Sequence, residues 1–279
     1  MSANHLIYAM LTHRGRVRQG NEDTCAADPE SGAYVVCDGM GGAAAGEIAS
    51  NLAADTFLAN LTPPLSERRG TKPQARLAAA IQAANTAVYQ QSKQSSALQG
   101  MGTTLVALLH VPATNGTGPR RAPNNHPGSR ASDPPTLWLG HVGDSRCYRC
   151  RRGRLEQLTE DHSLVEEQVR AGQITIEQAA VSPMRNLITR AIGSQATVEA
   201  DIQSHRPQAN DLYLLASDGL THEVSDEEIE AILNAIPAPQ TNEAITAACE
   251  ALITTANRNG GNDNITVLLV AVAPGLPPG

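Results

Sequence analysis

The sequence predicts an α+β fold in which two packed β-sheets carry helices on their outer faces. Three observations point there. Short apolar runs of strand length end at, or begin from, aspartates; stretches of helical periodicity lie between them; and strands come in pairs, as do helices. The strict strand–helix alternation of a doubly wound parallel sheet is missing.

Along the chain, the first clear strand covers residues 34–37 and ends at Asp38. An alanine-rich helix begins with Ile48 and Leu52 and runs to about Asn60. In the next segment Leu77, Ile81, Ala84 and Val88 recur at the spacing of one helix face. Strands follow over 103–110 and 137–142; the second turns at Gly143 and continues extended through Tyr148. The arginines at 146, 149, 151, 152 and 154 decorate a hairpin turn at Arg152-Gly153, with docking of acidic or phosphorylated partners as their other use. A short helix over 164–171 stops at Gly172, and Thr175 with Gln178 caps another. A strand over 212–216 ends just before Asp218. Ser225 with Glu228 opens a helix over 226–234, a further helix covers 242–256, and a strand over 265–272 starts right after Asp263 and Asn264. Several of these strands are apolar on both faces, as strands covered on both sides must be.

One domain accounts for residues 1–273. Residues 111–135, rich in proline, glycine, asparagine and arginine, fall between two strands and read as a mobile insertion loop. Residues 274–279 read as a disordered tail. A net charge of −7 with 3% aromatic residues argues against nucleic acid as a partner, which calls for a basic footprint and stacking rings. The longest apolar stretch, 265–273, is far short of the roughly 20 residues that span a bilayer, and no secretory signal precedes the domain. Five cysteines at irregular spacing favour free thiols in a reducing compartment, so the expected location is cytoplasmic. Cys147 and Cys150 lie in one strand, where residues three apart face opposite ways, and no second pair completes a zinc set.

The chemistry lies in the aspartates. Glu22 and Asp23 follow Arg18 and Asn21; Asp38 stands where a strand gives way to Gly39-Met40-Gly41-Gly42; Asp218 precedes Gly219; Asp263 lies between a glycine turn and a strand. Each Asp-Gly pair alone means a turn more often than a site. Carboxylates at the ends of buried strands, brought together, would raise one another's pKa values unless a cation compensated. Magnesium and manganese choose such oxygen ligands. The glycines of 39–42 are not followed by the Lys-Ser/Thr of a P-loop.

With these residues in view the chain resembles the protein phosphatase 2C family of metal-dependent serine/threonine phosphatases, in particular its bacterial branch. Eight stretches match in the family's order, among them Arg18-Gln-Gly-Asn-Glu-Asp23, Val36-Cys-Asp-Gly-Met-Gly-Gly42, Gly140-His-Val-Gly-Asp-Ser-Arg146, Ser217-Asp-Gly-Leu220 and Asp263-Asn-Ile-Thr-Val267. The resemblance implies a β-sandwich of two antiparallel sheets flanked by pairs of α-helices in four layers (αββα), with a flap segment at about 164–187. It also implies roles. Asp38 would bridge two Mn2+ or Mg2+ ions, the Gly39 carbonyl would join one, and Asp218 and Asp263 would complete the other. Glu22 and Asp23 would act through metal-bound waters, Asp144 would help to hold a possible third ion, and Arg18 would grip the substrate phosphate. Phosphoserine or phosphothreonine would then be hydrolysed by direct attack of a metal-bridging hydroxide. Relatives outside the bacterial branch carry a histidine where this chain has Met40, which cannot protonate a leaving group; the general acid stays open, with His141 and His162 read as structural. The expected partners are phosphoproteins, including a serine/threonine kinase that the enzyme opposes and that kinase's substrates, and the expected state is a monomer. A phosphatase-like binding module and a phosphatase for a small phosphoester are the rival readings.

Overall fold

The structure, a computed structural model, describes residues 6–41, 45–62, 71–113, 134–238 and 240–273. Most of the expected insertion loop, the whole of the expected tail and Gly42 lie outside them.

Two antiparallel sheets pack face to face. The first runs in the order β1 (Leu6–His13), β11 (Ile265–Val272), β10 (Leu212–Ala216), β7 (Arg146–Arg151) and β8 (Arg154–Gln157). The second runs β2 (Asp23–Asp28), β3 (Ala33–Met40), β5 (Leu105–Val111), β6 (Thr136–Val142) and β9 (Asp201–His205), with the short β4 (Gly102–Thr103) pairing the end of β3. Helices α1 (Ala45–Leu61) and α2 (Pro73–Ser92) cover the second sheet. Helices α6 (Asp226–Asn234) and α7 (Asn242–Asn259) cover the first. The expected four-layer αββα sandwich is the observed fold.

Period-two alternation explains the two-sided apolar strands. Along β3, Tyr34 and Val36 enter the core between the sheets, while Val35 and Cys37 pack against α1 and α2. Along β11, Leu268, Val270 and Val272 face the other sheet, and Val267, Leu269 and Ala271 face the helices. Each of the buried valines and leucines contributes about 1.5–3 kcal/mol by leaving water. The same alternation separates the Cys-x-x-Cys pair: Cys147 lies between the sheets and Cys150 faces the helical layer, with its Sγ 3.5 Å from Asn234 Oδ1 of α6.

Local signals set the element ends. Ser225 accepts from the Glu228 N–H while Glu228 accepts from the Ser225 N–H, the capping box expected for α6. Beyond the β7–β8 hairpin, α3 (Leu164–Arg170) begins at the Ser163 cap and α4 (Ile176–Ala180) at a Thr175/Gln178 capping box. This segment is anchored at its base, where the Leu164 N–H donates to the Leu187 carbonyl (2.8 Å) and that of Thr189 to the His162 carbonyl (2.8 Å). The hairpin turn falls at Arg152-Gly153, both at positive φ. Three of its five arginines serve the fold: Arg146 pairs with Asp161, Arg149 with Glu156 and Arg151 with Asp211.

Three strands escape a reading for apolar runs. β1, β2 and β9 each end a sheet, and their sequences, LIYAMLTH, DTCAAD and DIQSH, alternate poorly because an edge strand is partly solvated. The single strand expected over 103–110 is split at Thr104, which turns to bond the end of β3. Among the described residues no helix is long and apolar enough to cross a membrane.

Candidate metal centre

The acidic residues converge at one end of the sandwich, from five separate segments. Asp23 opens β2 directly opposite Asp38 in the β2–β3 register. Asp218 begins the one-turn helix α5 (Asp218–Thr221) just after β10. Asp263 immediately precedes the strand neighbour Asn264, and Asp144 sits in the turn between β6 and β7. Together with Arg18 and Glu22, the carboxylates Asp38, Asp144, Asp218 and Asp263 line a cleft of about 250 Å³, and Asp23 lies buried across the strand pair from Asp38.

Backbone pairing holds Asp38. Its N–H donates to Thr104 Oγ1 (2.9 Å), and its carbonyl accepts from the Thr104 N–H (2.9 Å) and the Thr103 hydroxyl (2.8 Å). Gly39 is required beside it: a Cβ there would stand 2.2 Å from the Gly46 carbonyl oxygen and 2.5 Å from that of Glu22. The end of β3, the first turn of α1 and the Glu22 backbone are thereby pressed together. Gly219 plays the same part for α5, since a Cβ would lie 1.9 Å from the Asn264 carbonyl oxygen. This close approach brings Asp218 beside Asp263.

Asn264 staples the loop that carries Arg18 and Glu22. Its Oδ1 accepts from the Glu22 N–H (2.8 Å), and its Nδ2 donates to the carbonyls of Arg14 (3.0 Å) and Gly20 (2.9 Å). Asp263 accepts from the Asn264 N–H through Oδ1 (2.8 Å) and from Arg18 Nη2 through Oδ2 (2.6 Å). Ser217 donates to Asp23 Oδ2 (2.8 Å) and accepts from the Thr266 N–H (3.0 Å). Asn264, Ser217 and Thr104 are thus part of the centre, although an acid-based reading of the sequence passes over them. Ser217 and Asn264 belong to matched motifs already quoted, and Thr104 closes another, Gly102-Thr-Thr104, which is the signal that finds them.

The electrostatics are those of crowded anions. Burial, then Asp23, Asp218, Asp144 and Asp263 in turn, push the Asp38 carboxyl well above the usual carboxylate range. Burial raises Asp23 to about 7 against the hydroxyls of Thr266 and Ser217, and raises Asp144 to about 7 with help from Asp218 and Asp161. Asp218 is raised by burial and by Asp263, and eased by His222, whose Nδ1 lies 3.4 Å from Oδ2. Glu22 is raised by burial, with Arg18 opposing. Arg146, two residues after Asp144, is turned to Asp161, which its fork grips through Nε (3.0 and 3.1 Å) and Nη2 (2.8 Å).

This donor set suits hard divalent cations. It is all oxygen and strongly anionic, and Asp23 Oδ1 is buried without any partner among the described residues. A second cluster, His141, His162 and Asp201, does not suit a metal. The two rings stack at 4.6 Å and 22°, so their in-plane lone pairs cannot converge on one ion. His162 Nδ1 accepts from the Gly143 N–H (3.1 Å), which leaves the proton on Nε2, facing Asp201 Oδ2 at 3.3 Å. Burial pushes His162 down to about 4, so the ring is neutral, and His141 Nε2 donates to the Glu160 carbonyl (2.9 Å). The pair braces the Gly143 turn that presents Asp144, in line with the structural reading of both histidines.

Known proteins resemble this chain over nearly its whole length. A family model described as Protein phosphatase 2C matches residues 9–265. The serine/threonine protein phosphatase PstP of Mycobacterium tuberculosis is 39% identical over 267 residues, 96% of this chain. This chain spans only 45% of that relative's length. The serine/threonine phosphatase stp of Listeria monocytogenes is 35% identical over 262 residues, 93% of each chain. Among solved structures, the catalytic domain of PstP in complex with two manganese ions superposes with a TM-score of 0.73 at 37% identity, covering 96% of this chain and 98% of that one.

Proposed function

The chain belongs to the protein phosphatase 2C family, and from that premise we propose that it is a metal-dependent serine/threonine protein phosphatase. The observation that carries the reading is the gathering of Asp23, Asp38, Asp144, Asp218 and Asp263 at one end of the sandwich, where neighbouring carboxylates and burial raise Asp23, Asp38, Asp144 and Asp218.

Two hard divalent cations, Mn2+ or Mg2+, supply such a centre with Lewis acidity and a water acidic enough to act as nucleophile near neutrality. The residues of this chain do the rest. Asp38 is central because Asp23, Asp218, Asp144 and Asp263 all act on it, so Asp38 and the Gly39 carbonyl beside it would hold the cations. Asp218 and Asp263, brought together by the close approach at Gly219, would also hold a cation. Asp23 and Glu22 would act through waters bound to the cations, and Asp144 with Asp218 could hold a further cation. Arg18 is half-exposed at the rim of the cleft. Only its Nη2 is engaged by Asp263 among the described residues, so further N–H groups of its fork are left to bind two phosphoryl oxygens. Met40 lines the cleft and has no proton to give. The natural substrates are phosphoproteins in a pathway driven by a serine/threonine kinase, and the enzyme acts as a cytoplasmic monomer.

Hydrolysis of a generic aryl phosphate with manganese, with a chelator as control, tests the reading. Metal-dependent turnover is expected; inactivity at every manganese concentration would favour a binding module. Phosphopeptides turned over no better than small phosphoesters would shift the substrate class.

A further inference from the structure

Next to the acid-lined cleft lies a second hollow of about 320 Å³, and the two share Met40 and Ile188 as a common wall. Its character is opposite. The cleft is lined by five carboxylates, Glu22, Asp38, Asp144, Asp218 and Asp263, whereas among the described residues no carboxylate lines the hollow. Met40, Met101, Ile188 and Ala191 give it an apolar floor, and Lys93 and Arg190 stand at its margin.

The hollow is built from fixed parts. Gly102 pairs with Met40 in the β3–β4 register, and a Cβ on Gly102 would come within 3.2 Å of Met40 Cε, so the thioether lies across a bare glycine. Thr103 and Ile192 exchange backbone hydrogen bonds (3.1 and 2.9 Å), joining the floor to the 188–194 wall. Buried Asn85 on α2 accepts from the Gly193 N–H (2.8 Å) and donates to the Gln195 carbonyl (2.9 Å), which pins that wall to the helix. The two cations differ in availability. Arg190 is engaged by Asp201 Oδ1 (3.0 Å), whereas the exposed Lys93 ammonium sits over the Tyr89 ring at 4.7 Å and makes no ion pair among the described residues.

We propose that this hollow receives the substrate polypeptide on one side of its phosphorylated residue, with Met40 as the dividing wall and Lys93 selecting an acidic side chain. The proposal rests on the phosphatase reading. A chain leaving the cleft must pass over a neighbouring surface, and this one is continuous with it, preformed, apolar enough to bury a flanking side chain and free of the carboxylates that would repel an acidic one. Thioether side chains suit a subsite that accepts varied neighbours. Met40, useless as an acid, thereby acquires a role in shaping the site.

The test uses the manganese-loaded protein and phosphothreonine peptides in which glutamate or lysine is scanned through the positions flanking the phosphoresidue. At one flanking position the native protein is expected to prefer glutamate by about threefold in kcat/KM, the scale of a solvent-exposed ion pair. In Lys93→Glu that ratio should invert at the same position; a ratio within one protein cancels any general loss of activity. A preference unchanged in Lys93→Glu, or no preference in the native protein while an aryl phosphate is still hydrolysed, overturns the subsite alone. No turnover of either substrate overturns the phosphatase reading and the subsite with it.

Discussion

Arg18 Nη2 stands 2.6 Å from Asp263 Oδ2, a contact that joins residues 245 apart in sequence and orients the rim guanidinium over the carboxylate cluster. A charged hydrogen bond to phosphate is worth about 1.5–3 kcal/mol, so Arg18→Ala should lower kcat/KM for an aryl phosphate roughly 10- to 100-fold, chiefly through KM. Arg18→Lys should recover little, because a single ammonium cannot keep Asp263 and two phosphoryl oxygens together. A loss confined to kcat would place Arg18 outside phosphate binding.

Asp218 contributes a carboxylate that only the centre can justify. Asp218→Asn should reduce turnover by at least about 100-fold, the size of effect seen when a preorganised charge is removed from a catalytic site. Its metal-free melting temperature should stay at or above that of the native chain, since one buried like charge is gone. Near-native turnover would refute the metal assignment.

Protons and divalent cations compete for the same oxygens. Asp23 and Asp144 rise from 3.8 to about 7 in the folded chain, so between these values the native state holds more protons than the unfolded one. Their contribution to stability is therefore full below about 3.8 and is lost as pH rises through about 7. The rise in melting temperature produced by manganese, relative to chelator, should grow as pH increases from about 5.5 to about 8. An increment independent of pH would mean that these carboxylates do not meet the ion.

His110 shows the opposite sign at the far end of β5. Neither ring nitrogen has a partner among the described residues, and burial drives its pKa from 6.5 down to about 4. Between these values the unfolded chain takes up a proton that the native chain refuses, so stability falls as pH drops through that window. His110→Leu should raise the urea-unfolding free energy by about 1–2 kcal/mol at neutral pH, since it removes a buried unsatisfied polar ring. The gain should widen toward pH 5, and a loss at both pH values would show that His110 has a polar role.

Much of this was legible in the sequence for local reasons. The strands over 212–216 and 265–272, the Ser225 and Thr175 capping boxes and the Arg152-Gly153 turn depend on residues within a few positions of each other. The edge strands β1, β2 and β9 were not legible, because a partner on one side defines them and their own side chains are half in water. The site splits along the same line. Asp38, Asp218 and Asp263 stand out at strand ends, but the stapling by Asn264 of a loop some 240 residues earlier has no local trace.

The aspartates were therefore determined by the sequence alone: which residues carry the charge, at which strand ends, and in an order that matches one family. Their meeting was decided only by the tertiary structure. Glycines at 39, 46 and 219 let backbones approach more closely than any Cβ allows, and that approach packs like charges into one cleft. It also sets Met40 between the acid-lined cleft and an apolar hollow, because which surfaces adjoin depends on how the sheets and helices pack, and pairing across a sheet leaves no mark in the spacing of residues along the chain.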